Sequence, residues 1–387
     1  MAGLVVKPRA RILHGHDWVY GSEVLKTFGA PEDGTVISIK DGRDRLLGTA
    51  IYNSRSQITA RRISRRRESL DADFFGRRVA RAIAWRERAG CNPALCRLVW
   101  SEADGLPGVV ADRYSDVVVL QTQTLAMDLC RDTIAAVLAE IPGVGCVIER
   151  NDSASRRAEG LESRTGILSG KEPGVRILEM AGARFEVDFL AGHKTGLYLD
   201  QADNYSLVAN YARGARVLDC FANQGGFSLA CAVAGAHEVM AVESGAAAVD
   251  RLGRNARLNN AQVEIRQADV FDILPALKGR EFDLIILDPP SFTKARGRVN
   301  DAVRGYRELH RLAAPLLAPD GILATFCCSH HVGTGEFSEA VAAGFSDARR
   351  SAHIITQTGQ PADHPVALHI PESHYLKGLI LASRAAF

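Results

Sequence analysis

Near the C-terminus an apolar run, residues 323–326, leads into Cys327, Cys328, Ser329, His330 and His331. Thiols and imidazoles in that arrangement can bind a metal, attack a substrate as a thiolate, or simply occupy a buried strand. The metal reading is weak, because a strand sends neighbouring side chains to opposite faces and so tight a cluster does not supply a tetrahedral set of four ligands. The same alternation lets only one of Cys327 and Cys328 face a substrate, while the other packs against a helix. The remaining cysteines, at 91, 96, 130, 146, 220 and 231, lie mostly in apolar segments without CxxC spacing. Neither a disulfide framework nor a zinc ribbon is indicated, and reduced thiols are expected.

Carboxylates form the second chemical pattern. From about residue 190 the chain alternates strand-like and helix-like stretches, and four successive strand-like runs end in Asp219, Glu243, Asp269 and Asp288. Regular βαβ alternation implies a parallel sheet with helices on both faces, and ligands of such sheets bind beyond the carboxyl ends of the strands. The first loop, Asp219 to Gly226, lacks the GxGxxG spacing that brings backbone N–H groups onto a pyrophosphate. With Phe221, Asn223 and Gly225 it instead suits a ligand that has a charged amino-acid part and no phosphate. Glu243 is placed to accept from a ribose diol, and Asp269 from the amino group of adenine. Any one of these acids alone would read as a strand end or a helix cap; four in register on consecutive strands point to an amino-acid-bearing nucleoside, S-adenosylmethionine (SAM).

The elements that must carry these groups fall into three expected domains. Residues 1–68 hold short β-like runs broken by Asp-Gly and Asn-Ser turns, a small β-rich domain. Residues 69–189 read as a central α+β unit, with a helix over about 69–90, a hairpin around Tyr114-Ser115-Asp116, a helix near 127–139 and a β-rich stretch before residue 189. Residues 190–387 are the α/β part. Charge divides unevenly: residues 1–90 carry 18 Lys+Arg against 10 Asp+Glu, and the remainder 29 against 35. The N-terminal part is therefore where a polyanion would be met, and the run ISRRRES ending the first segment is either a solvated linker or a phosphate contact. No stretch approaches the length of a membrane span, and the charged start of the chain lacks a long apolar core, so a cytoplasmic protein without membrane contact is expected.

The order of motifs over 190–387 resembles the class I SAM-dependent methyltransferases, with Asp288-Pro289-Pro290-Ser291-Phe292 the sharpest part. The whole chain looks like the bacterial 23S rRNA cytosine-C5 methyltransferases that carry an N-terminal PUA domain. The matching pieces are KPRARILHGHDWVY, LLGTAIYN, GHKTGLYLDQ, LDCFANQGGFSL, LDPPSF, RGYRELH, TFCCS, ADHP and YLKG. The resemblance implies a Rossmann-like, mostly parallel seven-stranded catalytic sheet. It further implies Cys328 as nucleophile, and a base held by Pro289, Pro290 and Phe292 with Lys194 and Gln201 bordering cofactor or target base. Asp288, also beside the cofactor, is the candidate for stabilising charge at ring nitrogen 3. Many related RNA cytosine-C5 enzymes have a second cysteine after Asp-Pro-Pro, where this chain has Ser291. The group that takes the carbon 5 proton is thus open, with His330 and His331 as candidates.

The expected activity is methyl transfer from SAM to carbon 5 of a cytosine through a cysteine adduct at carbon 6. The partner is 23S rRNA or a large-subunit precursor; no metal is required, and a homodimer is compatible with the sequence. Two rivals remain: N-methylation of a purine, which needs no thiolate, and an RNA-binding assembly factor with a vestigial pocket, against which the run of acids argues.

Overall fold

The computed structural model describes residues 2–190, 196–293 and 296–384, except the side chains of 154, 155 and 296. Contacts divide the chain into two compact units: residues 1–176, 187–199 and 362–373 form the first, and residues 177–186, 200–361 and 374–387 the second.

In the first unit a six-stranded sheet runs in the order Trp18–Val19, Ala60–Ser64, Leu46–Tyr52, Val36–Lys40, Gly3–Val6, Val24–Phe28. Its alternating apolar residues, among them Leu4, Val6, Ile37, Ile39 and Ala50, close one small core. A five-stranded sheet follows, and the Tyr114–Val117 hairpin lies within it, with Ser115 in the left-handed region at φ 61°. The helix over Ala72–Arg88, here α1, is capped by Asp71, whose side chain accepts from the Phe74 N–H. It lays Phe74, Phe75, Val79 and Ala82 on the sheet. The helix expected near 127–139 is two, Leu125–Leu129 and Arg131–Ala139, because the Cys130 backbone leaves helical geometry at ψ 6°.

The second unit is built on a seven-stranded sheet. Its strands in chain order are β1 (Arg216–Cys220), β2 (Glu238–Glu243), β3 (Glu264–Gln267), β4 (Phe282–Leu287), β5 (Leu317–Cys327), β6 (Ser351–Gly359) and β7 (Lys377–Arg384), laid out 3-2-1-4-5-7-6. Strands β1 to β5 are parallel, and β7 runs antiparallel to both its neighbours. The central strands are buried on both faces, which is why β4 reads as an unbroken apolar run from Leu284 to Leu287. Register aligns the carboxyl ends: Cys220 pairs with Leu287 and Val242, Glu243 with Gln267, and Leu287 with Thr325. The hairpin Arg176–Met180/Ala183–Val187 bonds to the helix Ala246–Leu258 of this unit: Asn259 joins Arg184 in both directions, and Asn255 accepts from the Glu186 N–H.

Gly226, first residue of the helix Gly226–Val233, is fixed by a side chain distant in sequence: an added Cβ would lie 2.3 Å from Cζ of the buried Tyr205. Gly226→Ala should therefore lower unfolding stability by about 1–3 kcal/mol, the usual cost of overpacking. Denaturant titration checks this; an unchanged midpoint would contradict it.

Candidate functional site

The loop after β1 is wound tightly. Phe221, Asn223 and Gly225 alternate in the left-handed region at φ 64°, 48° and 93°, conformations that a bulky residue such as phenylalanine rarely adopts. Backbone strain of this kind persists only where surrounding contacts impose it, and it concentrates at ligand sites. Here the contacts are specific. The Ala222 N–H donates to Val242 O at 3.0 Å, the Asn223 N–H to Glu243 Oε2 at 2.9 Å, and Asn255 donates to Gln224 O at 3.1 Å. Glu243 thus ties the loop to the end of β2 while its Oε1 accepts from the Gly245 N–H at 2.7 Å.

Asp219 is the buried acid of the set. Its Oδ2 accepts from the Ser228 N–H at 2.9 Å and from Ser228 Oγ at 2.5 Å, while its Oδ1 is buried with no partner among the described residues. Burial pushes its pKa up to about 7. A buried acceptor left unpaired costs about 1–3 kcal/mol, which a donor brought by a ligand at this loop would relieve. The free acceptor at this loop therefore fits SAM, whose amino group is such a donor. Asp269 is exposed and caps the helix Val270–Ala276 by accepting from the Phe271 N–H at 2.8 Å. Gln201 is buried, its Oε1 accepting from Asn204 at 2.6 Å. Lys194 lies outside the described residues.

The segment after β4 meets the end of β5. The Asp288 N–H donates to Cys220 O at 3.4 Å, joining this segment to the β1 loop, and Cys328 Sγ lies 3.8 Å from Pro289 O. Cys328 is half-buried, whereas Cys327 is wholly buried in the apolar cluster with Tyr306 and Phe337. The two sulfurs therefore part as strand alternation requires. Pro289 is buried and Pro290 exposed. Phe292 packs on Tyr306, with ring centroids 4.7 Å apart, and on Phe271 at 6.1 Å; Gly305 leaves room for it, since an added Cβ would stand 3.1 Å from the ring.

Several groups in this neighbourhood escape a reading of the sequence by strands alone. Ser291 Oγ donates to Thr293 O at 2.6 Å, so toward Ser329 Oγ, 3.0 Å away, it accepts; Ser329 in turn stands 3.3 Å from Tyr306 OH. Tyr306 and His310, one helical turn apart in the helix Val299–Ala313, address the same strand end. His310 bridges Tyr306 O and Thr325 Oγ1, and burial lowers its pKa to about 4, which keeps it neutral. The RGYRELH motif thus positions TFCCS. Lys377 opens β7, buried, and donates to Ser329 O at 2.7 Å and Val332 O at 2.8 Å. Burial lowers its pKa, opposed by the nearby Cys327 and Cys328 thiols. The YLKG match was the one signal for it. His330 is exposed and stacks on Tyr375 at 5.3 Å, and the Tyr375 hydroxyl donates to Asp200 at 2.8 Å. Asp363 and His364 of ADHP lie in the first unit, where Asp363 accepts from the Arg97 N–H.

A cation fixed beside a thiol favours the thiolate. Lys377→Met should slow alkylation of Cys328 by iodoacetamide at neutral pH about tenfold, because the thiolate loses a neighbouring cation. Lys377→Arg should restore part of the rate. Equal rates in all three proteins would show that Lys377 only braces the turn.

A family model described as S-adenosylmethionine-dependent methyltransferase matches residues 83–372, and one for a PUA-like domain matches residues 5–65. A protein from Streptococcus mutans described as a SAM-dependent methyltransferase superposes with TM-score 0.84 at 22% identity, covering 99% of this chain and 100% of that one. A methyltransferase solved with S-adenosylhomocysteine superposes with TM-score 0.85, also at 22% identity. With the strand order and the wound β1 loop, these findings define a SAM-dependent methyltransferase of class I fold with a PUA-like N-terminal domain. The chain is 39% identical over 374 residues to Ribosomal RNA large subunit methyltransferase I of Shewanella amazonensis, covering 94% of each protein. It is 37% identical over 391 residues to the protein of that name from Aeromonas hydrophila, covering 98% of each. The chain belongs to the family that these proteins form.

Proposed function

We propose that the protein methylates carbon 5 of a cytosine in 23S rRNA, as free RNA or in a large-subunit precursor, in the bacterial cytoplasm. The observation that carries this reading is the placing of one thiol of the pair, Cys328, against the backbone of Pro289 while the other is buried in the core. Gln201, Asp219, Phe221, Asn223, Gly225, Glu243, Asp269 and Asp288 are the residues assigned to hold SAM. Lys194, Pro289, Pro290 and Phe292 are assigned to the target base. When bound, SAM supplies an electrophilic methyl group.

Carbon 5 of cytosine is a poor nucleophile until a group adds to carbon 6. The Cys328 thiolate forms the S–C6 bond, the ring double bond supplies its electron pair to carbon 5, and the negative charge that spreads to ring nitrogen 3 is met by a proton that the Asp288 carboxyl carries there. After carbon 5 has taken the methyl, a base, for which His330 and His331 are the candidates, takes its proton; the C–H pair re-forms the double bond and expels the Cys328 sulfur as thiolate. The base must leave its stack to reach the pocket, and the PUA-like domain grips the structured RNA around it.

The test is nucleoside mass spectrometry of rRNA from cells lacking the protein, after incubation with the protein and SAM. New 5-methylcytidine at one position supports the proposal; an N-methylated purine would replace it with direct transfer to nitrogen.

A further inference from the structure

A groove of about 980 Å³ lies wholly within the first unit, far in sequence from the strand ends of the catalytic sheet. One wall is a single face of α1: Arg78, Arg81, Trp85 and Arg88 follow one another at steps of three, four and three residues, the spacing that stacks side chains along a helix. At a rise of about 1.5 Å per residue this stripe runs roughly 15 Å. Facing it are Arg65 and Arg66, just beyond the strand Ala60–Ser64.

The groove's acids are already neutralised by other groups. Asp17 holds Arg62 at 2.6 Å and His369 at 2.9 Å. Glu102 accepts from Arg61 at 2.7 Å and from the Trp18 indole at 2.8 Å. Asp104 takes a two-pronged contact from Arg86 at 2.7 Å. Arg65, Arg66, Arg81 and Arg88 are exposed, and among the described residues none of them has a carboxylate within ion-pairing distance. Arg78 is half-buried on the Phe74 ring and donates to Ile63 O at 2.7 Å. Burial, and after it the nearby Arg81, lowers its pKa. Gly105, at φ 71°, lets the neighbouring turn close over it, for an added Cβ would sit 2.7 Å from Arg78 Nη1. The Trp85 indole donates to Ala362 O at 3.2 Å, and the Arg88 guanidinium lies 5.0 Å from the Trp85 ring centre.

Besides Arg62, which Asp17 holds, five guanidinium groups in one groove repel each other, and with the local acids taken the arrangement is relieved by an anion from outside. Guanidinium matches phosphate in a forked geometry, and the length of the stripe suits several successive phosphates better than a single ion. We infer that this groove is a second RNA site, which takes the phosphate backbone of a structured RNA segment other than the nucleotide being methylated and so helps to hold the substrate on the enzyme. The inference rests on RNA being the substrate and not on cytosine-C5 chemistry. Contacts of this kind position a nucleic acid without reading its sequence.

The experiment uses the full chain carrying Arg66→Gln, Arg81→Gln and Arg88→Gln together. Its control removes three charges elsewhere, by Lys26→Gln, Arg213→Gln and Lys278→Gln. Anisotropy with a fluorescent rRNA stem-loop is read across a KCl series. The groove variant should bind at least about tenfold more weakly, with a slope of log Kd against log salt reduced by about 2 to 3, near one for each phosphate that is no longer neutralised. Its SAM affinity, melting temperature and kcat at saturating RNA should match wild type, and the control should keep wild-type RNA affinity. Unchanged RNA binding in the groove variant, an equal loss in the control, or no RNA binding by wild type would overturn the inference. So would wild type binding polyglutamate as tightly as the stem-loop, which would give the groove to an acidic protein. A groove variant that loses RNA affinity while the wild-type product is a methylated purine would keep the site and remove only the carbon 5 assignment.

Discussion

Cys328→Ala should reduce methyl transfer by at least about 10⁴-fold, the scale seen when a covalent catalyst loses its nucleophile. SAM affinity and the unfolding midpoint should stay near wild type. Cys328 is only half-buried, so little packing is lost with the sulfur. The neighbouring cysteine provides the contrast. Cys327 is wholly buried in the cluster of Tyr306, Phe337 and Leu379, and its removal leaves a small void. Cys327→Ala should cost about 1 kcal/mol of stability and keep activity within a few-fold of wild type. Radiolabel incorporation and denaturant titration of both variants separate the two roles. A pair of variants with equal activity would remove the covalent scheme, because direct transfer to a nitrogen asks nothing of either thiol.

Asp288→Asn should lower kcat by about 10²–10³-fold, the usual loss when a group facing developing charge is removed. The amide preserves the shape of the side chain and cannot give a proton to ring nitrogen 3. Because the Asp288 contact with Cys220 O is made by the backbone N–H, the substitution leaves that tie in place. The fall should therefore appear in kcat more than in the KM for SAM. If KM for SAM rises and kcat holds, Asp288 serves the cofactor alone.

The catalytic sheet was legible because its determinants are local: β1, β2 and β4 are short, largely apolar runs, and an acid lies at or just beyond the carboxyl end of each of β1 to β4, the ends that register aligns. The choice between Cys327 and Cys328 was legible only as a choice; strand alternation says that they part, and resemblance, not spacing, named Cys328. Other features depend on residues remote in the chain. The acute need for glycine at 226 comes from Tyr205, and the loop's left-handed Phe221 and Asn223 are held partly by Glu243 and the end of β2. Lys377 reaches the cysteine turn because β7 returns antiparallel beside β5, a pairing that no local pattern announces. The hairpin Arg176–Met180/Ala183–Val187 reads as a continuation of the strands before it, yet its side bonds go to the helix Ala246–Leu258. Phe292 looks in sequence like a free platform for a base, and in the fold it leans on Tyr306 and Phe271.

The transient bond between Cys328 and a pyrimidine ring is tested most directly with substrate RNA containing 5-fluorocytosine, because fluorine cannot leave as a proton does and the adduct is trapped after methylation. Incubated with SAM, wild-type protein should give a protein–RNA species that survives denaturation, and peptide mapping should find the nucleotide on Cys328. The Cys328→Ala protein should give none. Unlinked wild-type protein that nonetheless methylates unmodified RNA, or a linkage at any other residue, would contradict the mechanism.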